Sequence, residues 1–95
     1  MYYALIYHNH PSYMSERGKY REEHLGLLNT FVNSGELSLA GAFDDPDRSL
    51  YVFRGVQAEQ AAQNFVAQDP YVTNKLVNKW EIKKWNVVIG VDMES

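Results

Sequence analysis

Apolar residues run unbroken from Tyr2 to Tyr7 (YYALIY) until His8-Asn-His-Pro11 interrupts them. Such a short, aromatic and β-prone run predicts a first strand. Both of its alternating sets, Tyr2/Ala4/Ile6 and Tyr3/Leu5/Tyr7, are apolar, so both faces require cover. Residues 8–13 form a loop punctuated by Pro11 and Ser12. The period then changes. From Ser15, an N-cap residue type, to Ser34, with Gly35 as the stop, the spacing predicts one continuous helix. At about 100° per residue, Met14, Arg17, Arg21, His24, Leu25, Leu28, Phe31 and Val32 fall on one side. Lys19, Glu22, Glu23, Gly26, Thr30 and Asn33 fall opposite. The second half of the inner stripe is plain core. Its first half carries two cations and an imidazole on a face destined for burial, which is expected only where polar groups are matched or used.

Further on, Leu37–Phe43 (LSLAGAF) and Leu50–Arg54 read as strands joined by the polar turn 44–48. Residues 57–68 place Ala58, Ala61, Ala62 and Phe65 at helical spacing and predict a second helix. It stops near Asp69, because Pro70 disfavours the α conformation in the residue before it. Residues 72–77 are expected to add a short turn or helix. A last strand is expected over Trp80–Ile89. Its even set begins apolar (Trp80, Ile82) and its odd set ends apolar (Trp85, Val87, Ile89), which implies a bulge near Lys83–Lys84 or burial of both faces. Residues 90–95 are expected to form a frayed tail. The order strand–helix–strand–strand–helix–strand is the ferredoxin-like split βαβ plan, an α+β class. It has a four-stranded antiparallel sheet with two helices on one face. The other sheet face stays apolar and open in a monomer, and a homodimer with the sheets face to face would cover it.

Composition narrows the function. The chain has 95 residues, 45% apolar and 22% charged, with a formal charge of −3. That length makes one domain. Its nine basic residues form no stripe, so a nucleic-acid footprint is not expected. There is no cysteine, hence no disulfide, thiolate nucleophile or Cys-based zinc site. No apolar run is long enough to span a bilayer, and Met1–His8 lacks the marks of a signal peptide, so a cytoplasmic location is expected. A Gly-rich phosphate loop, a Walker-type segment and a Ser–His–Asp arrangement are all missing. Neither a cofactor nor a metal is called for.

The strongest chemical constellation is His24 with Asp69. Neighbouring helices of the split plan can bring them together. The carboxylate would then fix one ring nitrogen and leave the other to move a proton. Arg17 and Arg21 can hold a substrate anion, and Tyr7 and Tyr71 are placed to rim the same cleft. A lone histidine on an apolar helix face is more often structural, and the same holds for an Asp at a helix end. His8 and His10 are a weaker set, with the donor types of a transition-metal site but the commoner reading of a polar loop. Asp44, Asp45 and Asp47 have hard-cation donors but read first as a solvated turn.

Several stretches together are similar to the YCII-related family, of the dimeric α+β barrel superfamily. They are Arg21-Glu-Glu-His24-Leu, Leu39-Ala-Gly-Ala-Phe43, the alanine-rich second helix, Asp69-Pro-Tyr-Val72, Leu76-Val77 and Trp80-Glu-Ile-Lys-Lys-Trp85. The Asp-Pro-Tyr turn with the helix histidine is the specific part. Ala42 and Lys84 stand where the family often has proline. The resemblance implies a ferredoxin-like homodimer in which the family's His–Asp pair falls on His24 and Asp69. It also implies cofactor-independent lyase or isomerase chemistry, because one branch is similar to a dehydrochlorinase acting on a hydroxyquinol and related barrels include muconolactone isomerases. The competing class is a non-catalytic ligand-binding or accessory dimeric domain with a structural His–Asp contact.

Overall fold

The first strand becomes one of the two inner strands of the sheet, in keeping with its two apolar alternating sets. The structure is a computed structural model and describes residues 1–91. In it β1 (Tyr2–Asn9) pairs antiparallel with β3 (Arg48–Arg54) on one side and with β4 (Val77–Trp85) on the other. β2 (Leu37–Ala42) flanks β3, giving the order β2-β3-β1-β4. The helices are α1 (Tyr13–Glu16), α2 (Arg21–Asn33), α3 (Ala58–Gln68) and α4 (Pro70–Thr73). This is the ferredoxin-like α+β plan expected, with α2 and α3 on one face of a four-stranded antiparallel sheet.

Between helices and sheet, Leu5 and Tyr7 of β1 meet Tyr51 and Phe53 of β3 and Phe31 of α2. On α3, Ala58, Ala61, Ala62 and Phe65 are all buried, as their spacing predicts. The small alanines let α3 lie close to the strands. Phe65 fills the centre, with ring centroids 5.2 Å from Tyr51, 5.5 Å from Phe31 and 5.8 Å from Phe53. Interiors packed at crystal-like density leave such a ring no easy replacement.

The first helix departs from expectation. It is not continuous from Ser15. Residues Tyr13–Glu16 make one α turn, Arg17–Lys19 tighten into a 3-10 turn, and α2 starts at Arg21 with Tyr20 (φ −118°, ψ 1°) at its cap. Gly18 is a poor helix former and sits where the helix gives way. Ser15 is therefore not the cap; its hydroxyl donates to the Ser12 carbonyl. The buried side of α2 narrows to His24 and Phe31, with Leu27 and Leu28 half-buried, while Met14, Leu25 and Val32 are exposed. The stop is as expected. Gly35 (φ 84°) takes the left-handed position, its N–H bonds the Val32 carbonyl, and Glu36 N–H reaches the Phe31 carbonyl. This double closure is the Schellman motif, which favours glycine.

β4 also shifts. It begins at Val77 and ends at Trp85, so the strand expected over Trp80–Ile89 moves towards the N-terminus. Lys83 and Lys84 pair in regular register with Ala4 and Tyr3, without a bulge. The irregularity lies between His8 and Asn9, which pair with Lys79 and Val77. The change of apolar phase therefore reflects two faces. Ile82 stands opposite Leu5 on the helix side, and Trp85 opposite Tyr2 on the open side. Of the tail expected over 90–95, residues 92–95 lie outside the described residues.

The open face carries Tyr2, Ile6, Leu39, Leu50, Val52 and Trp85, and a shallow hollow of ≈560 Å³ lies there. Leu39 is 64% exposed and Trp85 47%.

Removing the central ring tests the packing account. Phe65→Ala should cost about 3–5 kcal/mol, measured as a lowered urea midpoint.

Candidate active site

Asp69 is positioned by the rule that ends α3. As the residue before Pro70 it adopts extended backbone (φ −70°, ψ 121°), so the helix cannot continue. The same residue caps α4. Its side chain accepts from Tyr71 N–H at 3.0 Å, and Pro70 takes the first helical position, where a missing N–H costs nothing. This turn fixes the carboxylate inside the protein, fully buried.

Three donors converge on that carboxylate. His24 Nδ1 lies 2.8 Å from Oδ1, which also takes the Tyr71 N–H, and the Tyr7 hydroxyl donates to Oδ2 at 2.6 Å. An ionised carboxylate only accepts, so Nδ1 of His24 carries a proton and Nε2 is the ring atom left for other partners. No hydrogen bond from the described residues reaches Nε2. The imidazole is held flat against Tyr71, with centroids 3.8 Å apart and planes 12° from parallel. Tyr51 and Phe65 meet it edge-on, each at 6.2 Å. Hydrogen bond and ring contacts together leave the imidazole one orientation.

The tyrosines around Asp69 are strongly biased to stay protonated. Burial, then the Asp69 charge, pushes the Tyr7 hydroxyl far above the usual phenol range. The same two causes raise Tyr51. Tyr71 is raised by burial and by Tyr13, against the opposing pull of Arg21 and Arg17. Burial and the Asp69 charge thus both favour the protonated, donor form of Tyr7.

In front of the histidine lies a pocket of ≈280 Å³. Tyr13, Arg17, Arg21, His24, Tyr51 and Tyr71 line it, with Leu25 and Leu28 of α2 and the small residues Ala40, Gly41 and Ala42 of β2. Arg17 stands over the Tyr13 ring, 5.5 Å from Cζ to the centroid. Neither Arg17 nor Arg21 pairs with a carboxylate among the described residues. The break at Tyr20 puts the two arginines on separate elements, yet both reach this pocket.

Of the residues expected to gather, His24, Arg17, Arg21 and Tyr71 line this pocket and Asp69 lies buried against His24. Tyr7 needs correction. It does not end its strand or rim the cleft. It is fully buried behind the pair, where it serves Asp69. Its place in the apolar inner set of β1 was the available signal. Tyr13, Tyr51 and the Ala40–Ala42 wall were missed, because nothing local marks them. His8 and His10 are not brought together. His8 extends β1 and its Nε2 lies 2.7 Å from Glu81, lowering that carboxyl, while His10 contacts Ser12. Among the described residues, no three His, Asp or Glu side chains cluster as metal ligands would, and Asp44, Asp45 and Asp47 stay in the exposed turn. No helix among those residues is long and apolar enough to cross a membrane.

The YCII-related domain model matches residues 1–86. An uncharacterized protein of Haemophilus influenzae is 37% identical over 81 residues, covering 76% of this chain and 83% of the relative. Among solved structures, the fold is similar to 5-chloro-2-hydroxyhydroquinone dehydrochlorinase (TftG) of Burkholderia phenoliruptrix in complex with 2,5-dihydroxybenzoquinone. The TM-score is 0.71 at 16% identity, over 90% of this chain and 94% of that one. A NIPSNAP family protein of Agrobacterium tumefaciens superposes with a TM-score of 0.53 at 15% identity, covering 86% and 87%. At such identities these structures speak for the fold.

Removing one donor tests the carboxylate network. Tyr7→Phe should destabilise the protein by about 1–3 kcal/mol, since a buried acceptor is left short of a partner. A denaturant midpoint equal to that of the native sequence would show that Asp69 does not depend on Tyr7.

Proposed function

This chain belongs to the YCII-related family, and we propose that it is a small-molecule enzyme of lyase or isomerase type working through His24 and Asp69. One observation carries the reading: a buried Asp69, accepting three hydrogen bonds, holds His24 by Nδ1 in the wall of a pocket that also presents two arginines with no carboxylate partner among the described residues. Asp69 is the orienting group. It fixes the ring tautomer and stabilises the imidazolium that forms when Nε2 accepts a proton. Arg17 and Arg21 draw in and hold an anionic substrate.

Two outcomes follow from the same proton transfer. In an isomerisation, Nε2 takes a proton from one atom of the substrate and returns it to another. In an elimination, the bond to a leaving group breaks as the proton departs, and the leaving group carries away the bonding pair. The likeness in fold to a dehydrochlorinase favours hydroxylated or chlorinated aromatics as first substrates to try. A non-catalytic ligand-binding module is the second reading. It is favoured by the structural duties of Asp69, which ends α3 and caps α4.

The partner in this proposal is a second copy of the chain, docked through the open sheet face with its exposed Leu39 and Trp85. A face of this apolar character left in water would be an association site.

Activity should follow the pair. On a panel of hydroxylated and chlorinated aromatics and lactones, His24→Ala and Asp69→Asn should each lower kcat, with His24→Ala down on the order of 10²–10⁴-fold. A turnover that both variants retain would eliminate the mechanism. Light scattering at micromolar concentration should give twice the mass of the chain, and Leu50→Glu should return it to the single-chain mass. A native monomer would remove the dimer.

A further inference from the structure

We propose that the pocket takes a flat ligand bearing an oxyanion, and that the Tyr71 hydroxyl is the donor that binds this oxygen. The inference deepens the reading above and rests on it for one point, that this pocket is where the ligand sits.

Tyr71 is 1% exposed, yet its hydroxyl has no hydrogen-bond partner among the described residues. Buried hydroxyls are normally partnered, and an orphaned one is a cost that a fold rarely keeps without use. Tyr7 shows the contrast within this protein, since its buried hydroxyl is matched to Asp69 at 2.6 Å. Tyr71 cannot turn to share that carboxylate. Its ring is clamped parallel to His24 at 3.8 Å and edge-on to Tyr13 at 5.6 Å, and its own backbone N–H already occupies Oδ1 of Asp69.

The surroundings say what partner is missing. The charged groups that act on the Tyr71 hydroxyl are Arg21, Arg17 and Asp69. Asp69 is turned to its three donors, whereas the two guanidinium groups pair with no carboxylate among the described residues and line the pocket, Arg17 over the Tyr13 ring. Two cations without a carboxylate partner there, beside an unused O–H, form a receptor for a negatively charged oxygen. The shape adds the skeleton. The rings of Tyr13, Tyr51 and Tyr71 line the pocket together with Leu25, Leu28 and the small residues Ala40, Gly41 and Ala42 of β2, Ala40 pairing with Tyr51 across the strands. Aromatic rings beside apolar and small side chains suit a planar, conjugated molecule. Tyr71 would then share the ligand with His24 stacked against it, one side chain holding an oxygen while the other moves a proton.

Calorimetric titration of the full chain with two flat probes tests this. One is 2,5-dihydroxybenzoquinone, ionised at neutral pH. The other is hydroquinone, neutral there. The native protein should prefer the anion, and Tyr71→Phe should weaken anion binding roughly tenfold or more, the weight of a hydrogen bond to a charged group. Hydroquinone binding should not change. Because Phe retains the stacking and removes an unpartnered hydroxyl, its melting temperature should match or exceed the native value. Arg17→Gln should weaken the anion alone. The proposal is overturned if Tyr71→Phe binds the anion as the native protein does, or if it melts several degrees lower, which would mean that the hydroxyl is satisfied within the fold. It is also overturned if the native protein binds both probes alike or neither. Both probes are read by binding and neither has to react, so loss of the proton-transfer mechanism would leave this result standing on its own.

Discussion

A carboxylate closed off from water must find its hydrogen bonds inside the protein, and in this chain the demand falls on Asp69. An isolated buried charge costs many kcal/mol, so the fold is acceptable only if donors arrive from elsewhere. They come from three elements: Tyr7 on β1, His24 on α2 and the Tyr71 N–H at the start of α4. Each donor ties its element to the turn that ends α3. The sheet, both long helices and the Asp-Pro-Tyr turn therefore meet at one anion. Any shift of α2 along the sheet would leave a negative charge without its partner.

In the proposed mechanism, the same network would prepare the proton transfer. With Oδ1 and Oδ2 occupied, Asp69 has no role left except to accept. Burial and the nearby charge hold Tyr7 in its donor form. His24 is then fixed through Nδ1, and its stacking on Tyr71 removes ring rotation. Orientation costs nothing at the moment of reaction when the fold has already met it. The arginines complete the site without neutralising it, because neither engages Asp69. One buried carboxylate ties the elements together, while Arg17 and Arg21 line the pocket without a carboxylate partner among the described residues.

Two irregularities serve this geometry. A continuous helix from Ser15 would carry Arg17 and Arg21 on one stripe. The 3-10 turn at Arg17–Lys19 instead gives each arginine its own approach to the pocket. Lys75 (φ 64°) is the one non-glycine residue with positive φ among those described. It closes α4 in the manner Gly35 closes α2, with Lys75 N–H on the Val72 carbonyl and Leu76 N–H on the Tyr71 carbonyl. A lysine in the left-handed region gives up some backbone stability. That cost is borne where the chain must turn sharply to carry Tyr71 in and still enter β4.

The order of elements, the alanine stripe of the second helix, the stop at Gly35 and the end of α3 before Pro70 were legible in the sequence. Each follows from local rules: a period, a backbone preference, a forbidden angle. The polar half of the first helix marked His24, and the Asp-Pro-Tyr turn marked Asp69. The break at Tyr20, the true limits of β4 and the bulge opposite His8 and Asn9 were not legible. They are settled by strand pairing and by where arginines and aromatic rings can lie, over residues far apart in the chain. Tyr7 lies 62 positions from Asp69, and His24 lies 45. The sequence by itself determined which elements form and marked the candidate residues on them. Only the tertiary structure decided that Tyr7 stands behind Asp69 and not at the rim, and that the Tyr71 hydroxyl goes unpartnered. Hydrogen-bond satisfaction is a property of the packed interior, where every partner is counted at once.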